Sequence, residues 1–193
     1  INAFINRKFD SRFSSVNYIL ENELLSDKSY LFIGNHSTWW DGFLGWKVNK
    51  DLIKKKYYVM MLEEQLRRFW FFQKCGAFSI QPSSRSMIES LKFAAGLLKD
   101  NHVFLQFYPQ GKLHSLFDTE FVFNKGAKYL IDSSPNYLFY AAFVDYGPYE
   151  KPYLNVFLCS ILHKEVKDAG DMEKLYKEFY KRSLEKHIKT FKS

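Results

Sequence analysis

The feature that most constrains the fold is an apolar run that ends abruptly in polar loop residues, a design the chain then repeats. Leu31, Phe32 and Ile33 are followed by Gly34, Asn35 and His36, which predicts a short buried strand broken at Gly34-Asn35, with His36 in the loop where it ends. Residues 57–62 (YYVMML), 76–80 (GAFSI) and 103–108 (VFLQFY) are similar β-rich runs, and the segments between them carry apolar residues at helical spacing. Further strand candidates, residues 137–146 and 153–162, flank a Gly147-Pro148 turn. Strands alternating with helices predict an α/β fold: one domain over residues 1–193, with a largely parallel sheet flanked by helices and its strand ends gathered on one edge as the site.

The helical segments follow from the same periodicity. Phe9, Phe13, Val16, Ile19, Leu20 and Leu24 recur every three to four residues and predict a helix over 9–25. Short helices are expected over 42–48 and 63–72, and longer ones over 121–131 and 171–191. Ser86 followed by Glu89 fits a capping box and predicts a helix over 87–99, with Ile88, Leu91, Ala95 and Leu98 inward.

The loop after the first of these strands holds the chemistry. If Ser37 or Thr38 caps a helix running through Trp40 and Phe43, Asp41 lies about one turn inside it and folds back toward His36. A carboxylate on one ring nitrogen fixes the imidazole tautomer and leaves the other nitrogen free to take a proton from a hydroxyl. The same spacing also suits a plain loop hydrogen bond with two tryptophans packing nearby, so the pattern needs support elsewhere in the chain.

Composition narrows the function classes. With 193 residues, 47% of them hydrophobic, the chain can bury a core without staples. Cys75 and Cys159 lack zinc-ligand spacing and make no disulfide framework, which fits a reducing cytoplasm. A net charge of +7 points to an anionic partner. Nucleic acid is set aside for want of any aromatic-basic motif of a known module. Aromatic residues at 19%, together with lysines, suit a lipid interface. No apolar run approaches the ~20 residues that span a bilayer, so a membrane would be met at its surface. The absence of a Gly-x-Ser-x-Gly elbow argues against an ordinary serine esterase. The chain opens on Ile1-Asn2-Ala3 rather than Met, as expected of a trimmed sequence.

Taken in order, these loops resemble the glycerolipid acyltransferases, the 1-acyl-glycerol-3-phosphate acyltransferase superfamily. His36-Ser37-Thr38-Trp39-Trp40-Asp41 looks like the first block of that family, with Asn35 and Thr38 where it commonly has Asn and Ser. Residues 76–80 are similar to the second block. Tyr108-Pro109-Gln110-Gly111-Lys112 is similar to the third, usually Phe-Pro-Glu-Gly-Thr followed by Arg. Residues 141–144 occupy the place of the fourth, without its proline.

The resemblance, over residues 31–145, implies transfer of a fatty acyl group from acyl-CoA or acyl-carrier protein to a hydroxyl of a lysophosphatidate-like or other lysolipid acceptor, in phospholipid biosynthesis. It implies His36 as general base oriented by Asp41, substrate binding by Arg85, Gln110, Gly111 and Lys112, and no metal or cofactor. It also implies a cytoplasmic protein lying peripherally at the inner face of the membrane. Backbone amides around Gly111 are candidate oxyanion donors.

The departures matter as much. The usual Arg of the second block is Pro82, with Arg85 three residues later, and the third block has Gln110 for Glu and Leu113 for Arg. In the family those groups serve the acceptor phosphate. Either Arg85 or Lys112 replaces the missing cation, or the acceptor lacks a phosphate, as a glycolipid or carotenoid glycoside does. Outside enzymes, the alternative is a catalytically silent protein that binds membranes.

Overall fold

A computed structural model describes residues 2–25, 27–38, 40–81, 85–146 and 151–190. Its strands are β1 (Ser15–Leu20), β2 (Tyr30–Gly34), β3 (Lys56–Leu62), β4 (Ala77–Ile80), β5 (Val103–Phe107), β6 (Asn136–Asp145) and β7 (Tyr153–Leu162). They form one mixed sheet of seven strands in the order β1-β7-β6-β2-β5-β3-β4. The strands from β6 to β4 in that order run parallel, β7 is antiparallel to β6, and β1 is parallel to β7. The helices are α1 (Asn2–Arg12), α2 (Asp41–Val48), α3 (Glu63–Arg68), α4 (Arg85–Leu97), α5 (Lys125–Ile131) and α6 (Ala169–Thr190).

A parallel strand covered on both faces must be apolar throughout, and β2 and β5 at the centre are buried at every position. Alternation then divides their side chains. Leu31, Ile33, Leu105 and Phe107 join the core beneath α4, α5 and α6, whereas Tyr30, Phe32 and Phe104 join the core on the side of α1, α2 and α3. Helix α6 seals the first face with a stripe of Met172, Tyr176, Phe179 and Tyr180, spaced as a helix requires. At the end of β2 a Cβ on Gly34 would stand 2.0 Å from the ring of Tyr140, so glycine is what lets that tyrosine pack under the loop.

Several elements differ from the periodicity. The expected helix over 9–25 stops at Arg12, and Ser15–Leu20 is instead an edge strand paired with β7. Val16, Ile19 and Leu20 are spaced three and one apart, which suits either structure. Pairing with a distant strand decides the matter, aided by the β-favouring Val16, Tyr18 and Ile19. Helix α4 begins at Arg85, so Ser86 lies inside it, and its hydroxyl donates to Gln81 (3.3 Å) rather than serving as an N-cap. That start turns Ile88 outward, 53% exposed, while Leu91, Ala94, Ala95 and Leu98 are buried.

Segment 63–72 divides into α3 and a 3-10 turn (Trp70–Cys75). Segment 121–131 becomes helical only at Lys125. The Gly147-Pro148 turn and the Pro82-Ser83-Ser84 break lie outside the described residues.

Candidate active site

The carboxyl ends of β2, β5, β3 and β4 share one edge of the sheet, as parallel strands must, and the loop after β2 carries His36. Asp41 is the first residue of α2 rather than one turn inside it, which brings its carboxylate back over the loop. Oδ2 meets His36 Nδ1 at 2.9 Å and also accepts the backbone N–H groups of Ser37 (2.7 Å) and Thr38 (2.9 Å). The Thr38 hydroxyl donates to Oδ1 at 3.1 Å. A carboxylate so placed accepts the Nδ1–H of the ring and leaves Nε2 as the basic nitrogen. Nε2 has no hydrogen-bond partner among the described residues. The imidazole is 29% exposed, against 9% for the Asp41 side chain, so the base reaches solvent and its orienting group does not.

Two supports hold this pair. Below the imidazole, Tyr108 stacks face to face with it, ring centroids 4.3 Å apart and planes 20° from parallel. Burial, and then the nearby charge of Asp41, push the Tyr108 hydroxyl well above its usual range, so it stays protonated.

Behind α2, fully buried Gln106 of β5 ties the elements together. Its Nε2 donates to the Asp41 carbonyl (2.8 Å) and to the Tyr108 hydroxyl, and its Oε1 accepts from Tyr57. The Tyr57 hydroxyl also lies 3.0 Å from the Gly42 carbonyl. Asn35 fixes the other side of the loop. Its backbone N–H donates to Tyr176 (2.6 Å), and its side chain donates to Ser37 (2.8 Å) and Tyr180 (3.2 Å).

The loop after β5 closes over this arrangement. His114 donates its backbone N–H to the His36 carbonyl at 2.7 Å. Its own Nδ1 lies 3.1 Å from Asp118 Oδ2, and its Nε2 is buried without a partner. The backbone N–H of Glu120, and next His114, hold the Asp118 carboxyl below its usual range.

Of the substrate-binding residues expected from the sequence, Gln110, Gly111 and Lys112 share the loop after β5, and Arg85 stands at the start of α4. Gln110 is 4% exposed, with both amide atoms buried and unpartnered. Gly111 adopts φ +68°, a left-handed conformation that favours glycine, and its N–H bonds the Tyr108 carbonyl at 3.1 Å. That amide closes a tight turn and is not the free oxyanion donor expected. Lys112 is exposed on the same loop. Arg85, also exposed, follows β4, which β5 and β3 separate from β2. Three strand spacings, about 14 Å, separate β4 from β2 along the sheet.

Gln106, Tyr108 and the His114–Asp118 pair were not among the expected site residues. A lone glutamine inside the apolar run VFLQFY is the one signal that pointed to the first. Among the described residues no group of three His, Cys, Asp or Glu side chains is placed to hold a metal ion. Among the described residues, a cleft of about 130 Å³ between α1 and α2 and one of about 400 Å³ near Lys28 and His163 are lined by neither His36 nor Asp41.

A family model described as Acyltransferase matches residues 15–141, a span that includes the His36 loop, Gln106 and the loop after β5 as far as α5. Neither a curated protein nor a solved structure matches the chain. Because the family match extends over most of the chain, the protein belongs to the acyltransferase family.

Proposed function

We propose that the protein transfers a fatty acyl group from a thioester, acyl-CoA or acyl-carrier protein, to a hydroxyl of a lipid acceptor at the cytoplasmic face of a membrane. The observation behind this reading is the half-buried, solvent-reaching imidazole whose Nδ1 is held 2.9 Å from a buried carboxylate. In the proposed reaction Nε2 takes the proton of the acceptor hydroxyl as its oxygen attacks the thioester carbonyl. Asp41 then favours the imidazolium. Collapse of the tetrahedral intermediate breaks the C–S bond, and the departing thiolate takes the proton from the imidazolium. The products are an ester and a free thiol, with no covalent enzyme intermediate.

The test is turnover of palmitoyl-CoA with a panel of lipid acceptors, in wild type and His36→Ala. Loss of transfer in a variant that denatures like the wild type is the expected result. Transfer at the wild-type rate removes the mechanism, and no thioester cleavage with any acceptor favours a silent membrane-binding protein.

A specific observation favours a second reading of the acceptor. Gln110 stands where the family resemblance expects Glu, and its amide offers a buried donor and a buried acceptor without partners. Leu113, where Arg is expected, is apolar and 60% exposed. A neutral hydroxylated head group, as in a glycolipid or carotenoid glycoside, suits an uncharged amide better than a phosphate does. The phosphorylated and neutral members of the acceptor panel decide between the two.

A further inference from the structure

We propose that Tyr180 of α6 is a positioning residue of the reaction, its hydroxyl holding the loop that carries the base and the segment that carries Gln110 in one fixed relation. This role rests on the acyl-transfer reading above and supplies the device that sets the acceptor against the base.

Tyr176 and Tyr180 stand four positions apart on α6 and so share a helix face. Both reach Asn35, just beyond the end of β2. The Tyr176 hydroxyl accepts the backbone N–H of Asn35 at 2.6 Å and donates to the Tyr140 carbonyl at 3.0 Å. The Tyr180 hydroxyl lies 3.2 Å from Asn35 Nδ2 and 2.6 Å from the Leu116 carbonyl oxygen. An amide nitrogen only donates, a carbonyl only accepts, and a phenol does one of each. The direction is therefore fixed: Asn35 donates to Tyr180, and Tyr180 donates to Leu116. Tyr180 is fully buried, and burial holds its hydroxyl above the ordinary tyrosine pKa, so the donated proton stays in place.

Each end of this relay holds part of the site. At one end, Asn35 Nδ2 also donates to the Ser37 hydroxyl (2.8 Å), and the Ser37 backbone N–H donates to Asp41 Oδ2 (2.7 Å). The relay thus runs to the carboxylate that orients His36. At the other end, Leu116 belongs to residues 108–124, which join β5 to α5 without forming a helix or strand. Connections of that length are usually functional. This one is braced on α6, where Glu173 accepts the Phe123 N–H (2.8 Å) and Lys181 pairs with Glu120 (3.1 Å). Near its start lies Gln110, whose carbonyl accepts from Asn124 (2.8 Å) and whose buried amide has no partner among the described residues.

The reaction requires the two ends to stay in register. Nε2 of His36 takes the acceptor proton only from a hydroxyl within about 2.6–3.2 Å. Strand pairing fixes β2 against β5 as far as Ile33 and Phe107. Beyond those residues the loops need ties of their own, and the Tyr180 hydroxyl reaches both. The ring does not need its hydroxyl in order to pack, since it lies against Phe121 (4.9 Å) and Phe143 (5.4 Å) as a phenylalanine would.

The test is Tyr180→Phe in the full chain, with Tyr137→Phe as the matched control. Tyr137 also carries a phenol bonded to a backbone carbonyl, that of Ile131 at 2.7 Å, in the same core. It pairs with Leu31, near the start of β2. Hydrogen exchange followed by mass spectrometry without substrate should quicken about fivefold to a hundredfold in peptides covering 35–38 and 109–120 of Tyr180→Phe, as a buried carbonyl left unpaired implies. Those peptides should exchange as in the wild type in Tyr137→Phe. With palmitoyl-CoA and an accepted lipid hydroxyl, kcat of Tyr180→Phe should fall about tenfold to a hundredfold. The acceptor KM should change less, because the acceptor is bound but misaimed. Tyr137→Phe should keep the wild-type kcat. Asn35→Ala breaks the relay at its other end, so adding Tyr180→Phe to it should cost less than the same change costs the wild type.

Unchanged exchange in either loop of Tyr180→Phe, a wild-type kcat, or an equal fall in Tyr137→Phe overturns the role. If Tyr180→Phe does not fold, Asn35→Ala decides: faster exchange over 109–120 supports the relay, and unchanged exchange there overturns it. Faster exchange in both loops of a protein that cleaves no thioester would sink the acyl-transfer reading alone. Transfer that requires His36 and is indifferent to Tyr180→Phe would sink the positioning role alone.

Discussion

Two glycines in one helix should respond to the same substitution with opposite signs. A Cβ on Gly42 meets nothing within 4 Å, whereas one on Gly45 would stand 1.9 Å from Gln106 Oε1 and 2.4 Å from its Cδ. In a helix, alanine is favoured over glycine by about 0.8–1 kcal/mol, so Gly42→Ala should stabilise the fold by a few tenths to about 1 kcal/mol. For Gly45→Ala the same gain is opposed by overpacking of roughly 1–3 kcal/mol.

Gln106 cannot yield cheaply, because its amide holds the Asp41 carbonyl and the Tyr57 and Tyr108 hydroxyls. A displaced amide leaves a buried carbonyl unpaired, at a cost of about 1–3 kcal/mol. The expected net effect is a destabilisation of about 1–5 kcal/mol, from the overpacking and unpaired-carbonyl costs less the helix gain. Guanidinium denaturation at unchanged slope measures it. Turnover should fall further than stability does, since Gln106 sets the first residue of the helix that aims His36. Combining Gly45→Ala with Gln106→Ala should cost less than the sum of the single changes, because the clashing atoms are gone. A Gly45→Ala protein as stable and active as Gly42→Ala would refute the packing argument.

Asp41→Asn should lower turnover about 10⁴-fold if the carboxylate sets the imidazole tautomer as in a hydrolase triad; a rate near wild type in steady-state assays would remove the orienting role. Tyr108→Leu deletes the ring stacked on His36 at 4.3 Å and should lower turnover in steady-state assays, while Tyr108→Phe, which keeps the ring, should retain more of it. Burial holds His187 below its ordinary pKa, partly offset by Asp145 at 3.3 Å. The unfolded chain therefore binds this proton first, and the stability from a neutral His187 is complete above about pH 6.5 and is lost as pH falls below it. Midpoints of denaturation between neutral and mildly acidic pH should fall less steeply in His187→Gln.

What the sequence made legible was local. The apolar runs at β2 and β5 are buried on both faces, which leaves little but a parallel sheet for them to form. The spacing of His36 and Asp41 is short enough for one loop and the start of one helix to bring the pair together. Strand β1 was hidden because its residues satisfy a helical period as well as a strand's, and because its partner β7 lies far along the chain. The start of α4 was hidden because Ser86 and Glu89 look like a cap wherever they occur, while burial of Leu91 and Ala94 decides which face turns inward.

The supports of the dyad were out of reach for the same reason. Gln106 grips the Asp41 carbonyl across 65 positions, and the Tyr176 contact with Asn35 spans 141. Each is an ordinary residue until the sheet places it. A histidine and an aspartate five positions apart can meet in many loops. The aim of the base here depends on a buried glutamine in the next strand, on glycines that let it and Tyr140 approach, and on a tyrosine beneath the ring. Substitution at Gln106 should therefore impair the reaction, although Gln106 touches neither nitrogen of His36.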